Sequence, residues 1–317
     1  MAVAFVFPGQ GSQSVGMLAN LAASNRVVGE IFARASAVLG YDLWQTVQEG
    51  PEERLNATEC TQPAMLAAGI ATYRAWLARG GVAPDVVSGH SLGEFSALVA
   101  AEALDFEAAT DLVRFRGQAM QEAVPAGVGA MAAIIGLDDA QVEAACREAA
   151  QDEVVDAVNY NAPGQIVIAG ASTAVARTIE AARARGAKRT VLLPISVPSH
   201  SRLMKGAAER LRSKLSTVTI RTPSLPYVSA VDARRHDDPQ SIRALLVTQL
   251  ASPVRWTDTV RALISARHGV LVECGPGKVL TSLNRRIERR ADVNCYALED
   301  DASIDAALSA LRGEMNA

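Results

Sequence analysis

Cysteine is scarce in this chain. Its 317 residues include 4 Cys, at Cys60, Cys146, Cys274 and Cys295, with no CxxC pair and no adjacent histidine to complete a zinc spacing. Neither a disulfide framework nor a structural zinc is expected. Long apolar runs are missing too, and none reaches the ~18 residues that a membrane span needs. The opening stretch, Met1-Ala-Val-Ala-Phe-Val-Phe7, has no basic segment and runs straight into Pro8-Gly9, so it reads as a buried strand rather than a secretory leader. A cytoplasmic protein with no membrane contact is expected. An excess of one charge is also absent. With 31 Lys and Arg against 34 Asp and Glu, the net charge is −3, which gives no bulk attraction to nucleic acid or to an anionic membrane. An anionic partner must therefore meet a local basic patch.

What is present is the composition of a globular chain: 49% hydrophobic, 21% charged, with 23 Gly and 13 Pro scattered rather than clustered. The length fits either two domains or one domain with an insertion. Up to about residue 125, helical patterns such as Asn25–Leu39 and Pro63–Arg79 alternate with short apolar strands at Val3–Phe7 and Val86–Ser88, an α/β layout. The rhythm then changes. Strand Gly129–Leu137, helix Asp138–Ala150, strand Val154–Asn159, a turn at Asn161–Gly164, strand Gln165–Ala169, helix Ser172–Arg185 ended by Gly186, and strand Thr190–Leu193 follow in the order βαββαβ. That order is the ferredoxin-like unit. The α/β pattern resumes with helix Ser201–Leu215, strand Val270–Glu273 and two further helices. The expected architecture is an α/β-hydrolase-like large domain with a parallel sheet, formed by residues 1–125 and 196–317, carrying a ferredoxin-like insertion at 126–195.

Gly89-His90-Ser91-Leu92-Gly93 matches G-x-S-x-G between a short apolar strand and a helical stretch, Glu94–Ala101, the context that a nucleophile elbow requires. A serine on so tight a turn needs small neighbours, and the helix N-terminus beneath it favours a developing oxyanion near the Leu92 N–H. The competing reading is a structural turn. Four histidines are candidates for its base. His90 is adjacent in the turn and diverges from Ser91, His236 lies in a polar segment, and His268 stands at a helix C-terminus, where it can cap carbonyls. His200 lies in a loop stiffened by Pro194 and Pro198, able to face a cleft between the two lobes. No acidic residue occupies an obvious triad position, so a Ser-His dyad, with the other imidazole nitrogen held by a backbone carbonyl, stands beside a full triad as a reading.

Asp111–Met120 is helical by propensity. On a wheel of 100° per residue, Arg116 falls about 40° from Leu112, inside the arc holding Phe115, Ala119, Met120 and Val113, whereas Arg114 falls about 200° away. An inward guanidinium is costly unless paired, and its fork fits a carboxylate. The partner is an internal acid, or a substrate carboxylate beside Ser91; the alternative is a side chain that snorkels to solvent.

Five motifs in register, Phe7-Pro-Gly-Gln-Gly-Ser-Gln13, Gly89-His-Ser-Leu-Gly-Glu-Phe95, Asn159-Tyr-Asn-Ala-Pro-Gly-Gln165, Val197-Pro-Ser-His200 and Glu273-Cys-Gly-Pro-Gly277, resemble the malonyl-CoA:acyl carrier protein transacylases of bacterial type II fatty acid synthesis. The resemblance covers essentially the whole chain. It implies Ser91 as the acylated nucleophile and His200 as its base. It implies oxyanion donors at the Leu92 and Gln10 N–H groups, Arg116 on the malonyl carboxylate, the Gln249 carbonyl orienting His200, and Asn161 lining the cleft. The implied substrate is malonyl-CoA, with no permanently bound cofactor, and a monomer is expected. Ser199 stands where malonyl-selective domains of multifunctional synthases often carry an aromatic residue, which leaves methylmalonyl tolerance open.

The implied acceptor is an acidic acyl carrier protein, which needs a basic surface. Arg285, Arg286, Arg289 and Arg290 lie close together in the sequence, and Lys188-Arg189 lies by the small unit; a merely solvated face is the alternative. Two rival functions remain open at this point. A Ser-His lipolytic acyl hydrolase is disfavoured by an arginine in the apolar arc, and an inactive acyl-carrier interaction protein is disfavoured by the joint presence of nucleophile, base and arginine.

Overall fold

The computed structural model describes residues 2–125, 127–195 and 197–315. Ala126 and Ser196, where the expected domain boundaries fall, lie outside the described residues, as does Met1 of the expected first strand. The described strands, in chain order, are β1 (Val3–Phe7), β2 (Val86–Gly89), β3 (Gly129–Ile135), β4 (Val155–Ala162), β5 (Gln165–Ala171), β6 (Arg189–Leu192), β7 (Tyr227–Ser229), β8 (Arg234–His236), β9 (Val270–Glu273) and β10 (Asn294–Ala297). They form a six-stranded sheet ordered β10-β9-β1-β2-β7-β8 and a four-stranded sheet ordered β4-β5-β3-β6.

β1, β2 and β9 are buried along their whole length. Their continuous apolar sequences suit parallel strands covered on both faces, and β1 pairs in parallel with both β2 and β9. The chain is an α/β protein. The large sheet is nevertheless not wholly parallel, contrary to expectation: β8 pairs antiparallel with β7. The reason is connection length. Only a short turn, in which Ala233 N–H donates to Ser229 O, separates the two strands, and so short a link cannot cross over to a parallel neighbour. β8 reads Arg-Arg-His and forms a polar edge.

One helix layer is centred on Thr58–Ala78, buried on nearly every side, as expected of a helix without a polar face. It starts five residues ahead of the expected Pro63, because Ala57 O accepts from the Cys60 and Thr61 N–H groups. The expected helix at 201–215 opens as a 3₁₀ turn, Arg202–Met204, before the α-helix Lys205–Leu215. β10 separates the two C-terminal helices, Val279–Ile287 and Asp301–Met315.

In the four-stranded sheet every pairing is antiparallel. The two-residue alternation of β3 gives it two faces. Ala132 and Ile134 pack with Val142, Ile168 and Val175 under the helices Asp139–Ala150 and Ser172–Ala184. Met131 and Ala133 pack with Val158 and Val167 on the opposite face. Asp138 caps the first of these helices in a full capping box with Gln141. β4 extends through Asn161 to Ala162, so the expected four-residue turn shrinks to Pro163-Gly164. Among the described residues no helix is long and apolar enough to cross a membrane.

Candidate active site

Ser91 stands between β2 and the helix Gly93–Ala100 with φ 53°, the left-handed region that L-residues seldom occupy. The flanking glycines are there for space. A Cβ on Gly89 would lie 1.9 Å from the carbonyl carbon of Gly93, and one on Gly93 would lie 2.0 Å from Phe7 O. The elbow closes only because both side chains are absent. Its hydroxyl is thereby lifted to a cleft of about 400 Å³. Gln10, Ser91 and Arg116 line that cleft on one side; Met131, Asn159 and Val167 of the four-stranded sheet line it on the other.

His200 reaches Ser91 from the loop after β6, and it too has a positive φ, 66°. Its Nε2 lies 2.7 Å from Ser91 Oγ, and its Nδ1 lies 2.7 Å from Gln249 O. A carbonyl can only accept, so Nδ1 carries the hydrogen and Nε2 offers its lone pair to the serine O–H. Burial, followed by the neighbouring Arg116 charge, pushes the His200 pKa down to about 3. The ring is a neutral base at physiological pH. Among the described residues no carboxylate hydrogen-bonds to it.

Arg116 is 1% exposed, which removes the snorkelling alternative. Its Nη2 donates to Gln249 Oε1 at 2.8 Å and to Ser91 Oγ at 3.3 Å. Its Nε is buried without a partner, and its guanidinium sits 5.6 Å from the centre of the Phe95 ring. Among the described residues no carboxylate forms an ion pair with it. Desolvation lowers its pKa to about 10, leaving it charged. A buried cation beside Ser91 Oγ, lining an open cleft, is able to receive a small anion.

Leu92 and Gln10 border the same cleft, and neither N–H has a hydrogen-bond partner among the described residues. Asn161 Oδ1 accepts from His90 Nε2 at 2.8 Å, so His90 serves the cleft wall and not the nucleophile. His236 faces Asp232 at 3.0 Å. The expected cap at His268 is not made through Nδ1, which is buried without a partner. All four cysteines are buried free thiols.

One group escaped sequence reasoning. Glu94, 0% exposed, accepts from Ser229 Oγ at 2.8 Å and from Ala230 N–H at 2.6 Å through Oε1, and from Gln249 Nε2 through Oε2. Burial raises its pKa, and these three donors oppose the rise. The Gln249 side chain was missed as well: besides accepting from Arg116, it donates to Ser91 O at 3.0 Å. The only available signal was a charged residue inside the apolar stretch after the elbow.

A strained serine bonded to a neutral histidine, sharing a cleft with two unpartnered N–H groups and a buried cation, is an arrangement suited to acyl transfer through a serine. The chain matches the acyl transferase domain family over residues 4–299 and belongs to it. It is 53% identical over 305 residues to the malonyl CoA-acyl carrier protein transacylase of Escherichia coli K12, covering 96% of this chain and 98% of that one. The Bacillus subtilis protein of the same name is 41% identical, covering 98% of each chain. Among solved structures, the malonyl CoA-acyl carrier protein transacylase of Coxiella burnetii superposes with a TM-score of 0.95 at 47% identity, covering 98% of this chain and 97% of that one. A malonyl-transacylase in complex with its type II PKS acyl-carrier protein superposes with a TM-score of 0.96 at 51% identity, covering 98% and 100%.

Proposed function

We propose that the protein transfers a malonyl group from coenzyme A to the phosphopantetheine thiol of an acyl carrier protein by way of a malonyl-Ser91 ester. The observation that carries this reading is Arg116, a buried, charged guanidinium 3.3 Å from Ser91 Oγ that no carboxylate among the described residues meets in a direct ion pair. A fatty acyl tail gains nothing there. A three-carbon acyl group ending in a carboxylate places its charge on the cation when its thioester carbonyl lies at Ser91.

In the first half-reaction Ser91 Oγ attacks the thioester carbonyl carbon while its proton passes to His200 Nε2. The oxyanion is received by the Leu92 and Gln10 N–H groups. The carbonyl re-forms, the carbon–sulfur bond breaks, and coenzyme A leaves as a thiol carrying the proton from Nε2. In the second half the carrier thiol gives its proton to His200 and attacks the ester. Ser91 Oγ recovers that proton as it leaves. Gln249 O holds the Nδ1 hydrogen throughout, so the ring keeps one tautomer. Asn161, held by His90, lines the route of the phosphopantetheine arm.

The architecture is read as an α/β-hydrolase-like unit of residues 1–125 and 196–317 with a ferredoxin-like insertion at 126–195. Supporting this are the parallel strands flanking the elbow and the antiparallel order β4-β5-β3-β6 in a βαββαβ segment.

Carrier docking is assigned to Arg285, Arg286, Lys188 and Arg189. In support, Arg189 and Gln165 flank Ile135 in register across the small sheet, and Arg286 donates to Gln165 Oε1, so the two basic segments share one rim. Arg290 is spent on Asp292. Exchanging Arg285 and Arg286 for Glu tests this: the KM for carrier protein should rise while that for malonyl-CoA stays, and an unchanged carrier KM removes the assignment.

A further inference from the structure

Four of the contacts that shape the site pass through one residue. Gln249 O holds His200 Nδ1, Oε1 accepts from Arg116, and Nε2 donates to both Ser91 O and Glu94 Oε2. Gln249 does not lie within an α-helix. It opens the 3₁₀ turn Gln249–Ala251 that follows the helix Pro239–Thr248, where its N–H donates to Leu245 O and its carbonyl accepts from Ser252 N–H at a long 3.4 Å. The side-chain contacts add to that main-chain anchorage. Arg116 can only donate and Ser91 O can only accept, so the amide has one permitted orientation. Glu94 closes the arrangement from below.

Resting on the reading above, we infer that Glu94 is a positioning residue for acyl transfer. Its carboxylate holds the Gln249 amide, and through that amide it fixes both the carbonyl under His200 and the acceptor facing Arg116. The carboxylate is itself anchored to the end of β7 by Ser229 and Ala230. Because Ala230 N–H and Gln249 Nε2 can only donate, each carboxylate oxygen meets an N–H, an arrangement that suits the anion. Glu94 is also the negative charge that acts on Arg116 through space. The interposed amide keeps the two from forming a direct ion pair. The guanidinium thus has a counter-charge that offsets its burial, yet stays open toward the cleft.

Glu94→Gln keeps the size but must set an N–H against either Gln249 Nε2 or Ala230 N–H. In the holo system, with malonyl-CoA and carrier protein, kcat should fall about ten-fold. Acylation by acetyl-CoA should fall by a similar factor, since His200 serves both donors. In a Gln249→Ala background, which retains the main-chain carbonyl, Glu94→Gln should add less than about two-fold, because the residue through which it acts is gone. A merely structural role predicts full additivity. A folded Glu94→Gln with kcat within about two-fold of wild type overturns the inference, and so does a further ten-fold loss in the Gln249→Ala background. If Glu94→Gln does not fold, Gln249→Ala decides alone: a ten-fold loss with both donors supports the inference, and a loss under two-fold overturns it. Wild-type protein that takes no malonyl group on Ser91 overturns the parent reading instead, so the two failures are told apart.

Discussion

Ser91 and His200 meet at 2.7 Å although both hold left-handed backbone conformations, at φ 53° and φ 66°. Such a conformation costs an L-residue on the order of 1–2 kcal/mol, and here two are spent on one hydrogen bond. The surrounding packing maintains them: Gly89 against Gly93, Gly93 against Phe7, and Gln249 O against the imidazole. The pairing is a product of the fold and not of local preference.

The elbow is therefore sensitive to a single methyl group. Gly93→Ala would bring a Cβ to 2.0 Å from Phe7 O, a contact with backbone that cannot rotate away. A loss of at least ~2 kcal/mol of stability together with acylation is expected, measured by denaturant unfolding and by a thioester cleavage assay. A variant as stable and active as wild type would show that the turn is looser than described.

The His200 pKa of about 3 makes a claim about pH. Unfolded, the imidazole titrates near 6.5. Between these values the unfolded chain binds a proton that the folded chain refuses, so this group destabilises the fold progressively as pH falls from 6.5 toward 3 and has no effect above. The catalytic counterpart is persistence. The single-turnover rate of acylation should stay nearly level down to about pH 5, where a base of ordinary pKa would be mostly protonated. An inflection near 6.5 would mean that the ring is not desolvated.

Arg116→Ala should lower kcat/KM for malonyl-CoA by ten-fold or more, corresponding to the roughly 1.5–3 kcal/mol of a charge-assisted hydrogen bond. The ratio of malonyl-CoA to acetyl-CoA specificity is the informative quantity. An unchanged ratio would remove Arg116 from substrate selection.

How far these features were legible in the sequence depended on the reach of the interactions involved. G-x-S-x-G between an apolar strand and a helix is a local pattern, and so is the placement of Arg116 in a helical arc; both were readable. The βαββαβ order was readable for the same reason. The edge strand β8 was not, because Arg234-Arg235-His236 has neither alternation nor apolar content and owes its conformation to β7. Glu94 escaped for a different reason: its partners Ser229 and Gln249 lie 135 and 155 residues away, and only the packed chain brings them together. Arg116 raised the question of a partner, but its acceptor, an amide on a distant 3₁₀ turn, could not be found by periodicity.

Covalent capture is the most direct measurement. The protein is incubated with malonyl-CoA in the absence of carrier protein, and its intact mass is taken and mapped. The account predicts a malonyl adduct on Ser91 that is absent in Ser91→Ala, weaker with acetyl-CoA, and discharged when carrier thiol is added. Absence of any adduct, with no malonyl-carrier product accumulating, would contradict it.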